Sequence, residues 1–132
     1  TEAVKNRKVK RLKDSEIMSL AHQKAQLVLT FLPKIDSSFC NQEWANLPDS
    51  ASLKAVDKLV FWCEKQGEMQ KTEGEIFEAY QYAAKNGDKL KDNIQKTSRD
   101  TFLYTKTIED STGFVGMWSI WIKQKELILE IM

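Results

Sequence analysis

The sequence predicts an α+β domain, about four helices followed by a small antiparallel β-meander, with an all-α helical bundle as the alternative. Three observations carry this. Apolar residues recur at spacings of three and four over the first two thirds of the chain. The last third changes to β-branched and aromatic residues in alternation. The 132 residues, 42% of them hydrophobic, suffice for one domain with a core of its own. A basic N-terminal arm, residues 1–13, precedes a single globular domain, residues 14–132.

Residues 14–32 read as an amphipathic helix. Met18, Ala21, Ala25, Val28 and Leu32 form its stripe, and Ile17, Leu20, Leu27 and Phe31 widen it. Asp14 or Ser15 can cap it, and Pro33 stops it. Residues 34–51 make a long connection whose Phe39, Trp44 and Leu47 suit packing against the domain. Residues 52–66 are expected to form a second, central helix. Leu53, Val56, Val60 and Cys63 line one side, and Ala55, Leu59 and Trp62 another. Thr72 with Glu75 reads as a capping box opening a third helix, with Ile76, Ala79, Tyr80 and Ala83 inward. Asn86-Gly87 ends it. Residues 88–98, with only Leu90 and Ile94 apolar, are expected as a short fourth helix.

Strands follow. Over residues 101–108, Phe102, Tyr104 and Ile108 alternate with Thr101, Thr105 and Thr107. Residues 109–113 read as a turn, and Phe114, Trp118, Ile120 and Ile122 set the inner face of a second strand. Leu127, Leu129 and Ile131 suggest a third, over residues 126–132. A single helix over residues 113–132 is the competing reading. Trp118 and Trp121 would face opposite sides of their strand, one in the core and the other free to anchor a partner.

Cys40 and Cys63 lie 23 residues apart with neither a CxxC spacing nor a neighbouring histidine, which excludes a zinc motif. Phe39 and Trp62 beside them favour buried free thiols, with Cys63 inert on the central helix, and therefore an intracellular, reducing compartment. A disulfide is the alternative. No apolar run reaches the roughly 20 residues that span a bilayer. Thr1 in first place suggests an excised or processed start.

No motif points to a catalytic site, a cofactor or a resident metal. The single histidine, His22, falls on the polar side of the first helix and reads as a solvated surface residue. Five isolated glycines build neither a P-loop nor a dinucleotide fingerprint. Gly113 and Gly116 have GxxG spacing, but the apolar pair between them suits a strand. A metal-dependent nuclease hairpin would use Asp110 and Lys123, yet Trp121 stands where its second carboxylate belongs.

Charge is the strongest functional signal. Residues 1–13 hold Lys5, Arg7, Lys8, Lys10, Arg11 and Lys13 against Glu2, a net of +5, while the remaining 119 residues are net −4. These six cations are the candidate nucleic-acid-binding residues, in a contact that is sequence-independent and salt-sensitive. Short basic runs also serve as nuclear-localisation or membrane-surface patches. Residues 72–122 are similar in outline to a helix-turn-helix followed by a wing, with Lys89, Lys91, Asn93, Gln95, Lys96 and Arg99 on the would-be recognition helix. Asp88, Asp92 and Asp100 dilute that helix, and the acidic tip Glu109-Asp110 suits a protein partner better. The expectation is a non-enzymatic nucleic-acid-binding module, of the kind that serves as a subunit of a nucleoprotein or regulatory assembly. The alternative is a protein-interaction domain or homo-oligomer using Trp121 as its anchor.

Overall fold

A computed structural model of the protein describes residues 13–32, 40–43, 54–64, 69–111 and 113–129. Among these, three helices and five strands follow one another. They are α1 (Asp14–Leu29), β1 (Gln42–Glu43), β2 (Val56–Trp62), α2 (Lys71–Lys85), β3 (Asn93–Ser98), β4 (Thr101–Asp110), β5 (Gly113–Lys123) and α3 (Gln124–Leu129). The strands form one antiparallel sheet in the order β1-β2-β5-β4-β3. β3, β4 and β5 are a meander, and β2 joins on the far side of β5, which makes β5 central. No helix among the described residues is long and apolar enough to cross a membrane.

The sheet is covered on both faces. On one, Leu59, Phe61, Phe102, Tyr104, Trp118, Ile120 and Ile122 pack under α1, which presents Ile17, Ala21, Ala25 and Val28, with Leu127 of α3 completing the cluster. Two of the four α1 side chains are alanines, so the helix lies close to the sheet. On the other face, Val60, Trp62 and Met117 pack under Phe77 and Tyr80 of α2. Both clusters bring apolar surface out of water, the dominant favourable term in folding.

The α+β class and the meander agree with the sequence, and β4 and β5 lie where alternation places them. The all-α alternative fails, because residues 113–123 are strand. Three elements differ. Residues 52–66, expected as a central helix, supply β2. The last four residues of β2, Leu59 to Trp62, are all apolar and buried, two on each face, and such a run mimics a helix with two stripes. Residues 88–98, expected as a fourth helix, are irregular over 88–92 and then form β3. The helix stop before them does form: Gly87 takes φ +77°, while the Asp88 and Gly87 amides donate to the Ala83 and Ala84 carbonyls. Residues 126–132, expected as a strand, begin within α3, where Leu127 turns into the core and Leu129 stays exposed.

Two local expectations also change. α2 starts at Lys71, so Glu73 serves as its capping acid in place of Glu75, accepting the Gln70 amide at 3.0 Å. Cys63 is half-buried just past β2 and is bonded to Cys40. The expectation of free thiols, and of the reducing compartment inferred from them, is thereby corrected. The bridge is reinforced by Asn41, whose Oδ1 accepts the Cys63 amide at 3.0 Å and whose φ of 60° turns the chain into β1.

Gly116 marks a close approach of β5 to β2. A Cβ there would stand 2.6 Å from the Trp62 carbonyl oxygen and against the Phe61 ring. Gly116→Ala should therefore destabilise the domain by about 1–3 kcal/mol, read from urea denaturation. The Cys40–Cys63 bridge closes a loop of 23 residues. Cys40→Ser with Cys63→Ser should cost about 3 kcal/mol, and a reductant should lower the melting temperature of the parent chain but not of this variant.

Candidate binding site

Lys5, Arg7, Lys8, Lys10 and Arg11 lie outside the described residues. Lys13 is placed at the start of α1, where its amide donates to Glu16 Oε1 at 2.8 Å. The would-be recognition helix is an irregular stretch followed by the edge strand β3, so its cations do not share one helix face.

What the fold does assemble is a polar junction between α1 and the chain entering β3. Tyr104 on β4 donates its hydroxyl to Asp92 Oδ2 at 2.6 Å. His22 Nε2 lies 3.1 Å from the same oxygen, and Gln26 Nε2 donates to the Tyr104 hydroxyl at 2.9 Å. The His22 ring also meets the Tyr104 ring edge-on, with centroids 5.5 Å apart. His22 is thus a half-exposed partner of Asp92 and not a free surface residue. The Asp92 carboxyl is held below the ordinary carboxylate range, chiefly by the Tyr104 hydrogen bond, with His22 adding to it and partial burial opposing. Burial, and then the Asp92 carboxylate, push the Tyr104 hydroxyl up. His22 and Gln26 on α1 stand 66 or more positions from Asp92 and Tyr104, and no periodicity in the sequence announces their meeting.

On its other side the same stretch is tied to α2. The Tyr80 hydroxyl donates to the Lys91 carbonyl at 2.8 Å and sits 3.2 Å from Thr105 Oγ1. Burial raises the Tyr80 hydroxyl above its usual value. Between the helix and the stretch lies a groove of about 460 Å³. Ile76, Ala79, Ala83 and Leu90 supply its apolar lining, and Lys89, Lys91, Asn93 and Gln95 its polar one, together with Tyr80 and with Asp92, whose carboxylate is engaged by Tyr104 and His22. Lys89 and Lys91 are exposed, and neither has an acidic partner among the described residues.

The other sequence candidates resolve differently. Trp118 is core, and Trp121 is half-buried on the opposite face, with its Nε1 buried and without a hydrogen-bond partner. Asp110 pairs with Gly113 at one end of the β4–β5 hairpin, and Lys123 with Thr101 at the other. At about 3.3 Å per residue they are roughly 30 Å apart, too far to share a metal ion. Among the described residues no three His, Cys, Asp or Glu side chains stand together as a metal site. Comparison with protein families, curated proteins and solved structures gives no match.

The Asp92 junction has a pH signature. Because its folded pKa is depressed, its contribution to stability is full above the ordinary carboxylate value of about 4, and is lost as pH falls through the folded value. Urea denaturation from neutral pH to about pH 3 should show the parent chain more stable than Asp92→Asn at neutral pH, with the gap closing on acidification.

Proposed function

We propose that the domain is a non-enzymatic interaction module that takes an extended acidic segment of a protein partner along the edge of β3, over the groove beside α2. One observation carries this reading: a sheet edge, an amphipathic groove and two lysines without acidic partners among the described residues coincide. Among the described residues β3 is paired with β4 alone, so its outer backbone groups can accept a further strand. Lysine on an edge strand by itself is the ordinary guard against unwanted pairing. Here a groove adjoins the edge. One set of an added strand's alternating side chains would rest on Ile76, Ala79 and Leu90, while acidic residues meet Lys89 and Lys91.

The paired cysteines fit an oxidising compartment. The nucleic-acid reading rests on the arm's net charge of +5.

Fluorescence anisotropy on the full chain separates the two, using a labelled peptide of alternating Val and Glu and a mixed-sequence single-stranded oligonucleotide at low and high salt. Peptide binding that Lys89→Glu with Lys91→Glu weakens by about tenfold or more supports the β3 edge. If only the oligonucleotide binds, and changing Lys5, Arg7, Lys8, Lys10 and Arg11 to Gln abolishes it, the nucleic-acid reading replaces this one.

A further inference from the structure

The segment that forms the β3 edge is complementary to itself read backwards. Residues 92–96 are Asp-Asn-Ile-Gln-Lys: opposite charges at the ends, a carboxamide next to each, and one apolar residue at the centre. The fold sorts these side chains by face. Asp92 meets His22 and Gln26 of α1, and Ile94 packs against the cluster under α1. The Lys96 ammonium lies 5.9 Å from the centre of the Phe102 ring, which belongs to the same cluster. Asn93 and Gln95 line the groove on the α2 side. The pairing with β4 is regular from Asn93 to Lys96, and its irregularity comes only afterwards, between Lys96 and Ser98.

Two copies of one strand that pair antiparallel about a two-fold axis normal to the sheet oppose residues of the same face, so the pairing is centred on a residue. Centred on Ile94, it sets Asp92 opposite Lys96 twice, Asn93 opposite Gln95 twice, and Ile94 opposite itself. Centred on Gln95 or on Asn93, it sets Ile94 opposite Lys96 or Asp92, and both ion pairs are lost. Centred on Lys96, it opposes two ammonium groups. His22, Gln26 and Tyr104 all meet Asp92 at Oδ2, and the second oxygen of a carboxylate suits an ammonium from across the edge.

We infer that two copies of this chain associate by antiparallel pairing of their β3 edges about Ile94, joining two five-stranded sheets into one. Charge complementarity selects this occupant, since both ends of the segment find their opposite in the second copy. The two α1 helices then share one face of the joined sheet, and the two α2 helices the other. Folded proteins cover or guard an exposed edge, and this one is covered by its own sequence. One short strand pair is a small interface, so the dimer is weak and exchangeable. The inference rests on the acidic-segment reading for its consequence: partner and second copy compete for one row of backbone groups, so self-association sets how much free edge a partner meets.

Sedimentation velocity of the full chain from about 5 μM to about 500 μM should show monomer passing into dimer. Lys96→Glu opposes like charges and should weaken association about tenfold or more, as should Asp92→Lys. An equimolar mixture of these two variants restores both ion pairs and should associate as the parent does. A second test leaves Asp92 in place. Ile94→Cys sets two thiols opposite one another, and oxidised glutathione should link them into a covalent dimer on a non-reducing gel, with the parent as control. Lys96→Cys, whose thiols would stand about 13 Å apart along the strands, should not link. The inference is overturned if the chain stays monomeric throughout, if Lys96→Glu associates as the parent does, or if residue 96 links as readily as residue 94. The Val and Glu peptide should dissociate the dimer, and binding without dissociation overturns the shared edge. A dimer that links at residue 94 but takes no peptide supports this inference and overturns the acidic-segment reading.

Discussion

A buried hydrogen bond between Trp62 and Glu73 sets the placement of α2 on the sheet, on which the groove beside that helix depends. Glu73 is 1% exposed, and its Oε2 accepts the Trp62 indole N–H at 2.8 Å. Its other oxygen caps α2 through the Gln70 amide. A carboxylate in that position is tolerable only because both oxygens are engaged and the helix N-terminus is the positive end of its dipole. The pair pins the first turn of α2 to the last residue of β2. Tyr80, further along the same helix, then reaches Thr105 and the Lys91 carbonyl.

That line across the sheet decides the shape of the groove. The stretch before β3 has no regular structure, yet it is held from two sides, by Tyr80 at Lys91 and by Tyr104 and His22 at Asp92. Irregular backbone with few ties is the low-stability end of a fold. Here the ties come from α1, α2 and β4, so Lys89 and Lys91 are carried on a braced segment. A braced surface spends less conformational entropy when a partner orders it.

The two sheet faces have unequal roles. Under α1 the contacts are apolar and closely spaced, helped by Ala21 and Ala25, and that face acts as the structural core. Under α2 the apolar cluster shares its face with Thr105, Ser119, Trp121 and Tyr80. Polar side chains there weaken the core as a purely apolar interface, since each needs a partner to offset its desolvation. Tyr80 and Thr105 find one another, whereas Ser119 and Trp121 do not.

Much of this fold was legible locally. The alternation of Phe102 with Tyr104, and of Trp118 with Ile120, reads directly as strands because side-chain direction in a strand repeats every two residues. The stripe through Ala21, Ala25 and Val28 and the Asn86-Gly87 stop read as helix signals for the same kind of reason: they depend only on near neighbours. Burial from both sides erased the periodicity of β2, and only the placement of α1 and α2 shows why Leu59 and Trp62 are both apolar. The disulfide and the Asp92 junction required residues distant in sequence to be brought side by side. By itself the sequence determined the α+β class and a basic arm on an acidic body; which residues meet was decided by the tertiary structure, because contact between remote side chains is set by register and packing and leaves no periodic trace along the chain.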